Sequence, residues 1–274
     1  MDFVLGPKAE SAGYRLIALS SVDSTNSEAM RRARSGDAGR LWVATTHQTA
    51  GHGRRGRAWS TEPGNLASSV LLLVPRGVNA ANLGFVAGLA LHDALGACAP
   101  ALGLHVALDG TSDGKNNRLT LKWPNDALID GGKVSGILLE ASNAGDGLMA
   151  VVIGIGVNVV RTPPDLPYAA TSLVDLGVEG IGAEDVFARL ADAWVDQENL
   201  WAGGRGFAAI RDAWLERASG LGAPVAVKLG DEIIRGTFDS IDDEGRLLVR
   251  TASGAMRAVT AGDVHFSAAA TVRI

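Results

Sequence analysis

The chain has 274 residues, 47% of them hydrophobic, with a net charge of -5 and an isoelectric point near 5.5. That length and apolar content support one large globular domain plus a small one and exclude a disordered chain. The acidic balance excludes a molecule-wide electrostatic binder of nucleic acid.

The single cysteine, Cys98, rules out a disulfide framework, and its apolar helical context (LGACAP) reads as a buried structural thiol in a cytoplasmic protein. The first residues, MDFVLGPKAE, lack the basic-then-apolar pattern of an export signal. The apolar run at 148–157 is too short to span a bilayer, so no membrane association is expected.

A first strand is predicted at 16–19. It leads into SSVDSTNSEAM, where Thr25 and Glu28 fit a T-x-x-E capping box and residues 28–35 favour helix until Gly36. Residues 41–48 (LWVATTHQ) are β-branched and aromatic enough for a second strand. Residues 66–74 predict a buried strand stopped by Pro75, and 82–99 a helix of small and apolar residues packed on a sheet. The polar, glycine-rich stretch 108–118 predicts a mobile surface insertion between two strands and no domain boundary. Strands follow at 119–123, 127–130, 133–140 and 148–160, with a tight turn at 130–132 (DGG) joining two of them at the centre of the sheet. Beyond a loop marked by Pro163, Pro164 and Pro167, helical spacing at 184–200 and 206–219 closes the first domain. From Gly222 onward four short strands (PVAVKL, EIIRGTFDSI, RLLVRT, MRAVTAGDVHF) within about 50 residues predict a small barrel of the SH3-like type. The expected domains are 1–220 and 221–274.

Residues 46–60, THQTAGHGRRGRAWS, are the most distinctive stretch. Gly51, Gly53 and Gly56 free the backbone for positive φ and close approach, while Arg54, Arg55 and Arg57 add positive charge, a composition shaped to wrap an anion. A solvated basic surface loop would share that composition. A strand that delivers the loop and Trp59 at its exit favour the ligand role. The glycines match G-x-G-x-x-G, but no apolar helix follows, and the region about 20 residues on offers Arg76 in place of a ribose-binding acid, which excludes a dinucleotide fold. So many glycines and like charges without evident internal partners predict that residues 51–59 are mobile until a ligand orders them.

Other polar groups gather in DSTN (23–26), KWPND (122–126), GGKVSGILLE (131–140) and GIGVNV (154–159). Taken singly, Lys133 could be a strand-edge lysine, KWPND an Asx turn and GIGVNV a tightly packed strand. Their joint occurrence exceeds what a plain core needs, and Gly136 lacks the side chain that would crowd a ligand beside Lys133. Val134 after Gly132 and Lys133, with Ala127 at the first glycine position, excludes a P-loop. His47, His52, His92, His105 and His265 lack metal-ligand spacing, and no G-x-S-x-G elbow occurs, so no protein-held metal is expected.

Taken in order, DSTN, QTAGHGRRGRAW, KWPND, GKVSGILLE, GIGVNV and ATSL (170–173) resemble the biotin protein ligases over roughly residues 20–175. The resemblance implies an α+β fold, with a mixed sheet and helices like the class II aminoacyl-tRNA synthetases followed by the SH3-like barrel. It implies two steps: biotin and MgATP give biotinyl-5'-AMP and pyrophosphate, then a lysine of a biotin carboxyl carrier protein domain takes the biotinyl group. The same fold hosts lipoate or octanoate transferases, and a non-catalytic biotin-sensing module would use the same pocket. The arginine-rich loop and the barrel argue against the transferase.

The resemblance also implies residue roles. Lys133 and Arg54 act on the carboxylate and phosphate that become the mixed anhydride. Ser24, Thr25, Asn26, Gln48, His52, Gly53, Arg54, Lys133 and Gly136 hold biotin, the polar groups matching a ureido ring with two N–H donors and one carbonyl. Arg57, Trp59, Asn125, Asp126 and Asn158 hold the nucleotide, with Trp59 under the adenine and Asp126 an indirect partner of Mg²⁺. His52 stands where the family commonly has arginine. About 20 residues precede DSTN, too few for a winged helix, so no nucleic-acid partner is expected, and the chain is taken as a monomer or weak homodimer.

Overall fold

The computed structural model describes residues 2–100, 118–260 and 262–266. Seven strands, β1 (Arg15–Ala18), β2 (Leu41–Thr45), β3 (Leu66–Pro75), β4 (Leu119–Lys122), β5 (Asp126–Ile129), β6 (Gly132–Gly145) and β7 (Leu148–Val157), form one sheet in the order β1-β2-β3-β7-β6-β5-β4. Only β1 and β2 pair in parallel, because the helix α2 (Thr25–Arg34) crosses between them. The other neighbours are antiparallel. This is the mixed sheet expected.

Alternation along the central strands divides the sheet into two faces. Trp42, Val70, Leu72, Val151 and Ile153 join the main core, under the helices α3 (Leu83–Cys98), α4 (Ala183–Trp201) and α5 (Phe207–Glu216). Trp42 is fully buried there, edge-on to Phe187 (5.5 Å) and Trp194 (6.0 Å), an arrangement favoured by the ring quadrupoles. Leu41, Val43, Leu71, Ala150 and Val152 face the other way and pack against Ala29 of α2. Beyond α2 that second face changes character: β3 continues as Ser69 and Ala67, and β7 as Gly154 and Gly156. A helix covers the large side chains; the small ones are left as the floor of a cavity.

The helix over Ala80–Cys98 is apolar and long enough to cross a membrane, yet 78% of its span is buried inside the protein, as a core helix requires. Cys98 lies at its end, where burial pushes the thiol up to about 11. A short helix, α1 (Pro7–Ser11), has no counterpart in the sequence reading; Pro at its start and five residues of length leave too little periodicity to detect. The capping residue of α2 is Ser24, not Thr25: its hydroxyl accepts from the Ser27 amide, and Glu28 turns instead to Arg31 and Arg32. The T-x-x-E spacing was a coincidence of one residue's shift. The predicted insertion at 108–118 lies outside the described residues except for Arg118, which pairs with Asp130 at 2.6 Å.

The second sheet has five strands, β8 (Pro224–Leu229), β9 (Glu232–Ile241), β10 (Leu247–Arg250), β11 (Met256–Val259) and β12 (Asp263–Phe266), in the order β11-β10-β9-β8-β12. The stretch expected as one last strand is two. β11 and β12 are sequence neighbours at opposite edges of the sheet. Four residue steps reach at most about 14 Å, whereas five flat strands would separate those edges by about 19 Å. The sheet must therefore curl, as an SH3-like barrel does. Its inner residues, Val225, Val227 and Phe238 among them, continue the main core, and Trp123 Nε1 donates to the Gly245 carbonyl (3.2 Å) across the junction.

Candidate active site

The small-residue floor opens into a cavity of about 590 Å³, within the range of roughly 300–1,000 Å³ usual for small-molecule sites. On the floor Ala67, Gly156 and Gly136 are successive cross-strand neighbours, as are Gly154 and Leu138 beside them. A Cβ on Gly154 would come within 2.2 Å of the Asn26 side chain, and one on Gly156 within 2.4 Å of the Trp59 ring. The glycines of GIGVNV are thus explained by what lies on them.

One end of the cavity is polar and neutral. Ser24, Thr25 and Asn26, all at 3% exposure, begin α2 and face the sheet. Gln48 Oε1 accepts from the Thr25 amide (2.8 Å), and Gln48 Nε2 donates to Thr61 Oγ1 (3.0 Å). Asn26 Nδ2 donates to Glu140 Oε2 at 2.8 Å, and Ser69 Oγ donates to Asn26 Oδ1 at 2.6 Å. These groups are already oriented before any ligand arrives.

The other end is cationic. Among the described side chains, Arg54, Arg55, Arg57, Lys122 and Lys133 line the cavity against one carboxylate, Asp126, an excess of positive charge in a chain whose net charge is -5. Lys133 Nζ lies 2.7 Å from Asp126 Oδ1 and within cation–π reach of Trp59 (5.6 Å) and Tyr168 (5.4 Å). The contact with Asp126 falls short of hydrogen-bond alignment, so Oδ1 stays buried without an aligned donor. Arg54 Nη1 donates to Asn125 Oδ1 (3.0 Å), and Asn125 Nδ2 donates to the Ile137 carbonyl (2.9 Å). KWPND is therefore the anvil against which the arginine loop rests.

The loop itself is tied. It forms a narrow hairpin in which His52 bridges Ala58, the Gly53 amide donates to the Arg57 carbonyl (2.7 Å) and the Trp59 amide to Gly51 (2.9 Å). Arg54, Arg55 and Arg57 all have partners. The premise that its charges lack internal partners is therefore corrected. Of its glycines only Gly56 uses a positive φ, of 71°. Gly51 is required by close approach, since a Cβ there would meet the Trp59 carbonyl at 2.4 Å. His52 Nε2 lies 3.4 Å from Glu140 Oε2, so this loop residue reaches a carboxylate.

Every predicted site residue lines the cavity except Asn158. Asn158 is buried and its Nδ2 donates to the Lys133 and Thr171 carbonyls (3.4 and 3.3 Å), which ties the 169–173 segment to the start of β6. Sequence reasoning missed Tyr168 and the wall that the second sheet supplies through Gly262, Val264 and His265, and, behind the lining, Glu140 and Ser69, which hydrogen-bond Asn26. The only traces were the Glu closing GGKVSGILLE and two serines interrupting an apolar strand.

Residues 18–158 match the Biotin/lipoate A/B protein ligase family, and residues 220–267 match the Biotin protein ligase C terminal domain. The chain is 41% identical over 259 residues to a biotin–[acetyl-CoA-carboxylase] ligase of Paracoccus denitrificans, covering 90% of this chain and 99% of the relative. Among solved structures it resembles the biotin protein ligase of Aquifex aeolicus in complex with biotin and ATP (TM-score 0.74, 25% identity, 92% of this chain and 99% of that one). It also resembles the biotin protein ligase of Leishmania major in complex with biotinyl-5-AMP (TM-score 0.61, 25% identity, 90% of this chain and 99% of that one).

Proposed function

The chain belongs to the biotin protein ligases of the biotin/lipoate A/B protein ligase family, and from that premise we propose how its residues perform the reaction. It activates biotin with ATP to biotinyl-5'-AMP, releasing pyrophosphate, and transfers the biotinyl group to a lysine of a carboxylase's biotin carrier domain. The observation that carries the assignment of roles is that Lys133 and Arg54 line one cavity with the neutral cluster at Ser24, Thr25, Asn26 and Gln48.

In the first step a biotin carboxylate oxygen attacks the α-phosphorus of ATP. At about 4 Å two like unit charges repel by about 4 kcal/mol at an effective dielectric of 20. Lys133 and Arg54 offset that repulsion and hold the two reactants in line, so catalysis is positional and electrostatic, with no covalent intermediate on the enzyme. His52, Gly53 and Gly136 complete the biotin end. Arg57, Asn125 and Asp126 hold the nucleotide and Trp59 takes the adenine. In the second step the acceptor lysine amine attacks the anhydride carbonyl carbon, and AMP leaves.

ATP enters as its magnesium complex. Among the described residues no three His, Cys, Asp or Glu side chains converge. Asp126, a carboxylate lining the cavity with its unaligned buried Oδ1, suits an ion held mainly by phosphates and water. The protein works in the cytoplasm as a monomer or weak homodimer.

Incubation of the chain with ATP, an acceptor domain and either biotin or lipoate tests the reading. Biotin on the acceptor lysine with pyrophosphate released supports it. Transfer of lipoate alone assigns the chain to the transferase branch, and binding of biotin without pyrophosphate release leaves only a sensing module.

A further inference from the structure

Among the described side chains, Asp126, Trp59 and Tyr168 surround the ammonium of Lys133: Asp126 Oδ1 lies 2.7 Å from Nζ, and the Trp59 and Tyr168 ring centroids lie 5.6 and 5.4 Å away. In the ligase reading Asp126 and Trp59 turn to the nucleotide when it binds. Tyr168 is then the partner that stays.

Its place beside Lys133 is fixed by the backbone. The Lys133 amide donates to the Ala169 carbonyl (2.9 Å) and the Thr171 amide donates to the Lys133 carbonyl (3.0 Å), so the chain just beyond Tyr168 runs parallel to the start of β6. Gly132 permits that approach, since a Cβ there would lie 3.2 Å from the Thr171 side chain. Upstream, the same loop is tied down by the buried Asn65, whose Oδ1 accepts from the Val159 and Val160 amides (3.0 and 2.9 Å). Tyr168 therefore reaches Lys133 from a segment anchored both before and after it.

The ring lies outermost. Tyr168 is 46% exposed, whereas the Lys133 side chain is only 17% exposed. A π face attracts an ammonium without neutralising it, so the charge stays available to two anionic reactants. Keeping water off that ammonium strengthens its pull on them, because the interaction scales inversely with the local dielectric.

We propose that Tyr168 is a positioning residue for the first step: its ring holds the Lys133 ammonium toward the reacting carboxylate and phosphate and shields it from solvent. This rests on the ligase reading. The role differs from docking the acceptor domain, which is the other use for an exposed aromatic lining the cavity.

The test separates the two half-reactions of the full chain: formation of biotinyl-AMP from biotin and ATP, and transfer from supplied biotinyl-AMP to an acceptor domain. A wild-type chain that makes no biotinyl-AMP would overturn the ligase reading and this inference with it. With an active wild type, Tyr168→Ala is expected to lower kcat for biotinyl-AMP formation about tenfold, about 1.4 kcal/mol, at an unchanged melting temperature. Tyr168→Phe, which keeps the π face, should stay within twofold of wild type. In a Lys133→Ala background, where the ammonium is gone, Tyr168→Ala should cost less than twofold more. Wild-type adenylate formation by Tyr168→Ala overturns the proposal, and a raised acceptor KM in that case assigns the ring to docking. An equal penalty with and without the Lys133 ammonium overturns it as well.

Discussion

The ammonium of Lys133 lies 2.7 Å from the carboxylate of Asp126, on neighbouring strands at the cationic end of the cavity. Lys133 is thus held by an acidic partner, which under the proposed mechanism it exchanges for biotin carboxylate and phosphate when the reactants bind. Asp126→Asn is expected to raise the magnesium concentration for half-maximal activity about tenfold, a cost of about 1.4 kcal/mol, and to leave the biotin KM within twofold. Magnesium titrations of adenylate formation check this; an unchanged magnesium requirement would remove Asp126 from the nucleotide end.

Trp59 and Gly156 form the second critical contact. A methyl group on Gly156 would lie 2.4 Å from the indole, well inside van der Waals contact, and the ring must move to admit it. Gly156→Ala is expected to raise the KM for ATP at least tenfold while the fold survives. Wild-type ATP kinetics in this variant would show that Trp59 has no part in holding the nucleotide.

Stability depends on the opposite face of the sheet. Trp42 is fully buried between Phe187 and Trp194, and Trp42→Ala should cost about 3–5 kcal/mol of unfolding free energy. Denaturant titration measures it, and a loss under about 1 kcal/mol would contradict the packing described.

Asp23 gives a pH-dependent prediction. Hydrogen bonds from Arg31, helped by the Ser24 amide and opposed by partial burial, hold its carboxyl at about 2, below the ordinary 3.8. A depressed carboxyl stabilises the folded state above its unfolded value and loses that contribution as pH falls through the folded one. The α2 start should therefore remain tied down to pH 3.8 and loosen toward about 2. Carbon NMR of the Asp23 carboxyl should show a midpoint near 2 that returns toward 3.8 in Arg31→Ala; a wild-type midpoint at 3.8 would refute the contact. Both side chains are half exposed, so the melting temperature should hardly respond.

Much of this was legible in the sequence because the site uses residues with few substitutes. Glycines at 136, 154 and 156 mark places where a ligand or side chain presses on the sheet, and Arg54 and Lys133 stand out in an otherwise lightly charged chain. What escaped depends on the third dimension. Ser69 is one of two adjacent serines in an apolar strand, and only pairing with Gly154 shows which of them reaches Asn26. β11 and β12 read as one strand because Ala261 and Gly262 interrupt the apolar pattern too briefly. The loop was expected to be mobile because its ties, the distant Asn125 side chain and the cross-hairpin bond from the Trp59 amide to the Gly51 carbonyl, leave no periodic trace in the sequence.

The central claim is that Lys133 joins two negatively charged reactants by position and charge. Biotin-dependent exchange of pyrophosphate into ATP, measured for wild type and Lys133→Ala, tests it most directly, with the melting temperature as a control for folding. The expected result is exchange in the wild type and a loss of at least about a hundredfold in the variant, equivalent to about 2.7 kcal/mol of transition-state stabilisation, at an unchanged melting temperature. Equal exchange rates in the two proteins would contradict it.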